Sequence, residues 1–286
     1  MALASVGPVA AQELSDVYTS LQGAVNKKDV DAVAKLSGDA SKMAKASINS
    51  PQPSDAAELD AWKKRVEYSN EVNKFASYAL SATAMNAGDP AKTVALVDQL
   101  IAQDPKSEYL DTCAGAYLAA LQKTGGKQSA GATKILAGRP DNIDALYTLA
   151  ATGNLAYANR LVAAGRKPKP EGVAEAEWER EKTMAVGRGL YFAGVANVGA
   201  KNWVDCDKDL KEALPYLAKE PALTGNAYFY LGLANYTLGK LVNDRAKMTQ
   251  GEKYTEQSAA IAGPMQSRAA QNVTAMKTEM AGPAKR

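Results

Sequence analysis

YALSATAMNAGDPAKTVALVDQLIAQDP, residues 78–105, is the stretch on which the fold turns. Leu80 and Ser81 belong to one helix, and Gly88-Asp89-Pro90 stops it and starts another. Proline at the first turn costs that second helix nothing, because the missing N–H would have no intrahelical partner there. Asp104-Pro105 then closes the pair, since proline forbids continuation of the helix before it and permits a new start after it. The same punctuation returns at Pro140, 35 residues beyond Pro105. Further breaks stand at RKPKPEG (166–172), Pro221 and Pro264.

Working outward, almost every segment has helix-type spacing of apolar residues, and strand-type alternation is hard to find. Asp29 precedes a run with Val30, Val33, Ala34 and Leu36. The loop SPQPSD (50–55) places Ser54 to cap a long helix through Trp62, Val66, Phe75 and Leu80. The expected class is all-α.

The recurring break resembles the roughly 34-residue helix–turn–helix unit of the tetratricopeptide repeat family. In that family a first helix carries an aromatic, then Leu and a small residue. A Gly-Asp/Asn turn, a second helix and a closing Asp-Pro follow. Residues 78–105 match best. NAYFYLGLANYTLGK (226–240) matches the first half through Tyr228, Leu231-Gly232 and Gly239, with Gly239 as the turn glycine. The resemblance implies a right-handed superhelix, an α-solenoid, of about five antiparallel helix pairs over 70–262. Residues 13–69 would form an N-terminal helical cap and 263–286 a C-terminal helix and tail. QKTGGKQSAG (122–131) reads as an insertion, TGNLAYAN as a shortened unit and NDRAKMTQGEKY (243–254) as a lengthening of the last unit.

The spacing carries its own physical sense. A helix pair cannot bury its apolar face alone, so neighbours stack, and small residues stand where backbones touch. Ser81, Gly115, Ala150, Gly194 and Gly232 form one such set, and the roughly 1 kcal/mol that a helix-interior glycine loses relative to alanine is offset by that closeness. In the family, the residue three positions earlier points into the concave groove. Here those residues are Tyr78, Thr112, Tyr147, Tyr191 and Phe229. The resemblance therefore implies an aromatic-lined groove that binds a peptide or partner protein, with Arg188 and Asn226 as donors for a backbone or carboxylate and Tyr236 facing the ligand. The other arrangement left open is a groove filled by the chain's own terminal helix.

Composition narrows the chemistry. Histidine is absent, which removes the commonest general base and transition-metal ligand. Lys and Arg number 34 against 31 Asp and Glu, a net charge of +3, so nucleic acid and anionic membranes are not expected partners. Cys113 and Cys206 are either buried thiols or one disulfide. Asp205, Asp207 and Asp209 have the spacing that opens an EF-hand, but Leu210 stands where its glycine belongs and Tyr216 where its bidentate glutamate belongs. TGGKQS (124–129) and GRGLYFAG (187–194) fail as phosphate and dinucleotide loops. No cofactor, metal or catalytic residue is expected.

Ala2 to Ala11 is apolar and ends in Ala10-Ala11-Gln12, similar to the end of a secretory signal peptide, so residues 1–12 are expected to be a signal remnant and the chain periplasmic or secreted. A cytoplasmic location is the alternative. No later apolar run approaches the roughly 20 residues that span a bilayer. The function expected is a non-catalytic scaffold of the bacterial cell envelope. Alternatives are a self-assembling subunit of a homo-oligomer or filament, and a helical-toroid enzyme acting on sugars or peptidoglycan.

Overall fold

The computed structural model describes residues 8–169 and 171–282. Most of the expected signal remnant, residues 1–7, lies outside them, and Pro8 onward is already helical. The described residues form thirteen helices joined by short turns and no strand. They are α1 (Pro8–Lys27), α2 (Val30–Ile48), α3 (Ala56–Asn86), α4 (Pro90–Gln103), α5 (Tyr109–Lys123), α6 (Gln128–Gly138) and α7 (Ile143–Ala150). The remainder are α8 (Leu155–Gly165), α9 (Glu175–Gly199), α10 (Trp203–Leu217), α11 (Pro221–Val242), α12 (Arg245–Ala260) and α13 (Gln266–Ala281).

Local chemistry places these boundaries. Asp29, Asp89, Asn154 and Asp244 each accept a hydrogen bond from a backbone N–H of the helix they precede, as N-caps do. The cap of α3 is Asp55 instead of the expected Ser54; its carboxylate accepts from Ala57 N at 2.8 Å. Gly88 holds φ at +69° in the turn before α4, a conformation that costs a side-chain-bearing residue but not glycine.

The chain divides into two compact units, 1–145 and 146–286, with the division inside α7. Within the first, α1 packs on α2 and α3, α2 on α3 and α4, α3 on α4 and α5, α4 on α5, and α5 on α6. Each of α1 to α5 thus meets its successor, and α1 with α3, α2 with α4 and α3 with α5 meet as well. Leu14, Leu21, Val33 and Val72 centre its N-terminal core, with Ala40, Ala44, Ala76 and Ala79 bringing α2 and α3 close.

The second unit repeats the pattern: α9 packs on α8, α10 and α11, α10 on α11, α11 on α12, and α12 on α13. Its core gathers Val186, Leu190, Cys206, Leu210, Leu217 and Leu231. Small residues do stand at the helix contacts. A Cβ on Gly194 would lie 2.5 Å from Leu210 Cγ, and one on Gly232 would collide with Thr255 Oγ1.

One expectation is corrected here: Gly239 is no turn residue. It lies inside α11, buried, where a Cβ would come within 2.7 Å of Met248 N. Asn243 makes the turn instead, in the left-handed conformation at φ 54°, which asparagine tolerates better than most residues. Cys113 and Cys206 are both free and buried.

Candidate binding faces

In the first unit, Phe75 and Tyr78 stand three residues apart on α3 and so share one side of it. Tyr18 of α1 meets Phe75 edge-on, with centroids 5.2 Å apart, and Tyr78 meets Tyr109 of α5 at 5.6 Å. A row of rings therefore runs across α1, α3 and α5. Its most exposed member is Tyr78, which keeps 43% of its surface open. Ser81 donates from its hydroxyl to Tyr109 O at 3.1 Å and ties α3 to the start of α5.

Beside this row lies a polar cleft of about 320 Å³, formed by α3 and the turn between α4 and α5. Asn70, Asn73 and Ser77 line it from α3, at the spacing that puts residues on one helical stripe. Ser107 and Tyr109 line it from the other side. Lys74 Nζ and Glu108 Oε1 pair at its edge, 2.8 Å apart. That pair is exposed; it holds the Glu108 carboxyl below and the Lys74 ammonium above its ordinary range. None of these residues belongs to the aromatic positions expected from the sequence. Their trace in the sequence is the polar Asn70, Asn73, Ser77 stripe that adjoins the aromatic one on α3.

The second unit brings together four residues expected to bind ligand: Tyr147, Arg188, Tyr191 and Asn226. Phe192 bridges Tyr147 and Tyr191, with centroid distances of 5.4 and 5.6 Å. The Arg188 guanidinium sits 5.3 Å over the Tyr147 ring. It also donates through Nε and Nη2 to the two oxygens of Glu220, at 3.3 and 2.8 Å. That fork is the strong planar geometry for a carboxylate, so a ligand carboxylate would have to compete with Glu220 for it. The hydrogen bond to Glu220 raises the Arg188 pKa further and keeps it charged. Asn226 Nδ2 lies 3.4 Å from the Tyr191 hydroxyl, while its Oδ1 is buried with no partner among the described residues. Burial raises the Tyr191 pKa, so its hydroxyl stays protonated as a donor.

Phe229 and Tyr236 lie elsewhere, two turns apart on α11, where α13 covers them. Phe229 is 3% and Tyr236 7% exposed. Arg268 of α13 stands 5.4 Å over the Phe229 ring, and Tyr236 donates its hydroxyl to Glu279 Oε2 at 2.9 Å. Lys240 reaches the same carboxylate, and Lys277 pairs with Glu256 at 2.7 Å. At this end the terminal helix occupies the face that the sequence reading offered to a ligand.

The acid run of α10 is accounted for by amides. Asn202 donates to Asp205, Asn235 to Asp207 and Asn197 to Asp209, each through Nδ2. Burial raises the Asp209 pKa despite its amide partner. These contacts fasten α10 to α9 and α11.

No family model, curated protein or solved structure matches this chain. Among the described residues, no helix is long and apolar enough to cross a membrane.

Proposed function

We propose that the chain is a non-catalytic binding scaffold, an α-solenoid of tetratricopeptide-like helix pairs that holds a peptide segment of a partner protein on the aromatic side of its odd-numbered helices. The observation that carries this reading is the side-by-side rings on successive odd helices: Tyr18, Phe75, Tyr78 and Tyr109 in the first unit, Tyr147, Phe192 and Tyr191 in the second. Aromatic side chains give large contact areas at low entropic cost, and rings already fixed by their neighbours lose little on binding. Tyr78 is exposed and Tyr147 half-buried, so part of each row is open to a partner. Location in the cell envelope belongs to the same proposal and is supported by the apolar Ala2–Ala11 stretch.

The test is capture of partners from native envelope extract by wild type and by the Tyr78→Ala/Tyr147→Ala variant. Both side chains are outside the fully buried core, so the variant is expected to fold and to lose the captured partner. An unchanged set of partners overturns the proposal. A second reading, self-assembly of the chain into an oligomer, is favoured by one observation. Leu241 and Val242, adjacent at the α11–α12 corner, keep 69% and 68% of their surface exposed. Sedimentation that depends on concentration and is abolished by Leu241→Ser supports it; a sharp monomer at high concentration refutes it.

A further inference from the structure

The cleft beside α3 is built unlike the aromatic rows. Ser77 and Ser107 are 3% and 4% exposed, both line it, and neither hydroxyl has a hydrogen-bond partner among the described residues. What little surface these two serines keep is open at their oxygens, so a ligand in the cleft can take the place of water on both hydroxyls. Asn73 is fixed at its oxygen: Ser41 donates to its Oδ1 at 2.8 Å, and the residue lines the cleft with its Nδ2 as a further donor. Asn70 stands one turn away.

The charge of the lining decides against an ionic ligand. Lys74 is paired with Glu108, and Lys106 is balanced by Asp104, so the cleft is formally neutral. The ring of Tyr109, braced by Tyr78, adds one flat apolar surface. The volume, about 320 Å³, is at the small end of ligand sites. Two hydroxyls, two amides and an aromatic ring around so small a neutral space match a molecule with a hydroxyl on nearly every carbon and an apolar C–H face. A peptide main chain offers only one donor and one acceptor per residue and matches that density poorly.

We infer that this cleft binds a neutral sugar ring, with Ser77, Ser107, Asn70 and Asn73 holding its hydroxyls and Tyr109 its apolar face. The source is a free sugar or a residue of a longer glycan. This site shares Tyr109 with the aromatic row proposed to hold a peptide, but its serines and amides lie outside that row, so it does not depend on peptide capture.

The test is an amide-resolved NMR titration of the full chain with glucose, N-acetylglucosamine, maltose and maltohexaose. Glucose 6-phosphate and triglycine serve as charged and peptide comparisons. At least one neutral sugar is expected to give saturable shifts at the Asn70 and Asn73 side-chain amides and the backbone of Ser77, Ser107 and Tyr109, with binding in the millimolar range. Ser77→Ala and Ser107→Ala each remove one oxygen and are expected to weaken that binding by about fivefold to tenfold, the effect of one hydrogen bond. Maltohexaose binding well above maltose identifies a glycan as the source; equal binding identifies the free sugar. The inference is overturned if no neutral sugar gives saturable shifts below about 50 mM, a concentration corresponding to marginal affinity. It is also overturned if the phosphate or the tripeptide binds better, or if both serine variants bind as wild type. Tyr147→Ala is expected to retain sugar binding and Ser77→Ala to retain peptide capture, so either proposal can fail without the other.

Discussion

Alanine at Gly232 should destabilise the protein, although in an exposed helix the same change stabilises by roughly 1 kcal/mol. The new Cβ would collide with Thr255 Oγ1 and lie 2.9 Å from Gly251 O and 3.0 Å from Thr255 N. The hydroxyl can rotate away, but the two backbone atoms cannot, so α11 and α12 must separate. Gly251 faces the same seam from the other side, where a Cβ would stand 2.5 Å from Tyr236 N. Overpacking of this kind costs about 1–3 kcal/mol. Set against the propensity gain, the net loss is about 0–2 kcal/mol, a fall of up to about 8 °C in the melting temperature for a unit of this size. The internal comparison is Gly23→Ala in α1, where nothing lies within 4 Å of the added Cβ. That variant should melt at or above the wild-type temperature by circular dichroism at 222 nm, a wavelength at which an all-helical chain reports directly. If Gly232→Ala melts as high as Gly23→Ala, the close approach of α11 and α12 is wrong.

Two further outcomes follow from titrating groups. Glu279 has its pKa lowered from 4.5, first by the hydrogen bond from Lys240 and then by that from Tyr236. Its contribution to holding α13 is therefore complete above 4.5 and is lost as the pH falls through the lowered value. Tyr236, pushed up to about 12 by burial and Glu279, contributes fully below its ordinary value of 10.0 and loses that contribution as the pH rises through about 12. Hydrogen-exchange protection of α13 should accordingly drop between pH 6 and pH 3 while α9 is unaffected, and Glu279→Gln should remove that dependence; equal protection at both pH values contradicts the docking of α13 through Glu279. Burial raises both thiols, Cys206 up to about 12, so neither should react with iodoacetamide in the folded protein at pH 8 and both should react once it is unfolded. Rapid native alkylation of Cys206 would refute its placement in the α9–α11 core.

The helices were legible because their ends are written in local chemistry. Asp29 and Asp89 announce caps, Gly88 a left-handed turn, and Pro90 and Pro221 the first turns that follow. Local chemistry also misled where two residues compete for one role. Gly239 resembles a turn residue, but its missing Cβ serves the approach of α12, and Asn243 supplies the left-handed turn. The division inside α7 carries no proline or glycine signal, since it reflects contacts between helices and not the chain at that point.

Sites were less legible than helices. Counting back three residues from the small positions found Tyr147 and Tyr191, and one more turn found Arg188 and Asn226, because that spacing is a property of one helix. Nothing local states that α13 returns to cover Phe229 and Tyr236: Tyr236 and Glu279 are 43 residues apart and meet only through tertiary packing. The polar cleft escaped for a different reason. Ser77 and Ser107 come from separate elements, and a serine is exposed in most contexts, so only the packing that puts both on one cleft distinguishes this pair.

The central claim, that a partner is held on the aromatic side of the odd-numbered helices, is tested most directly by hydrogen exchange with the captured partner bound and free. The account predicts added protection in α3, α5, α7 and α9, centred on the turns that carry Tyr78, Tyr109, Tyr147 and Phe192, with α4, α6 and α10 unchanged. Protection confined to the even-numbered helices or to the Leu241–Val242 corner would contradict it.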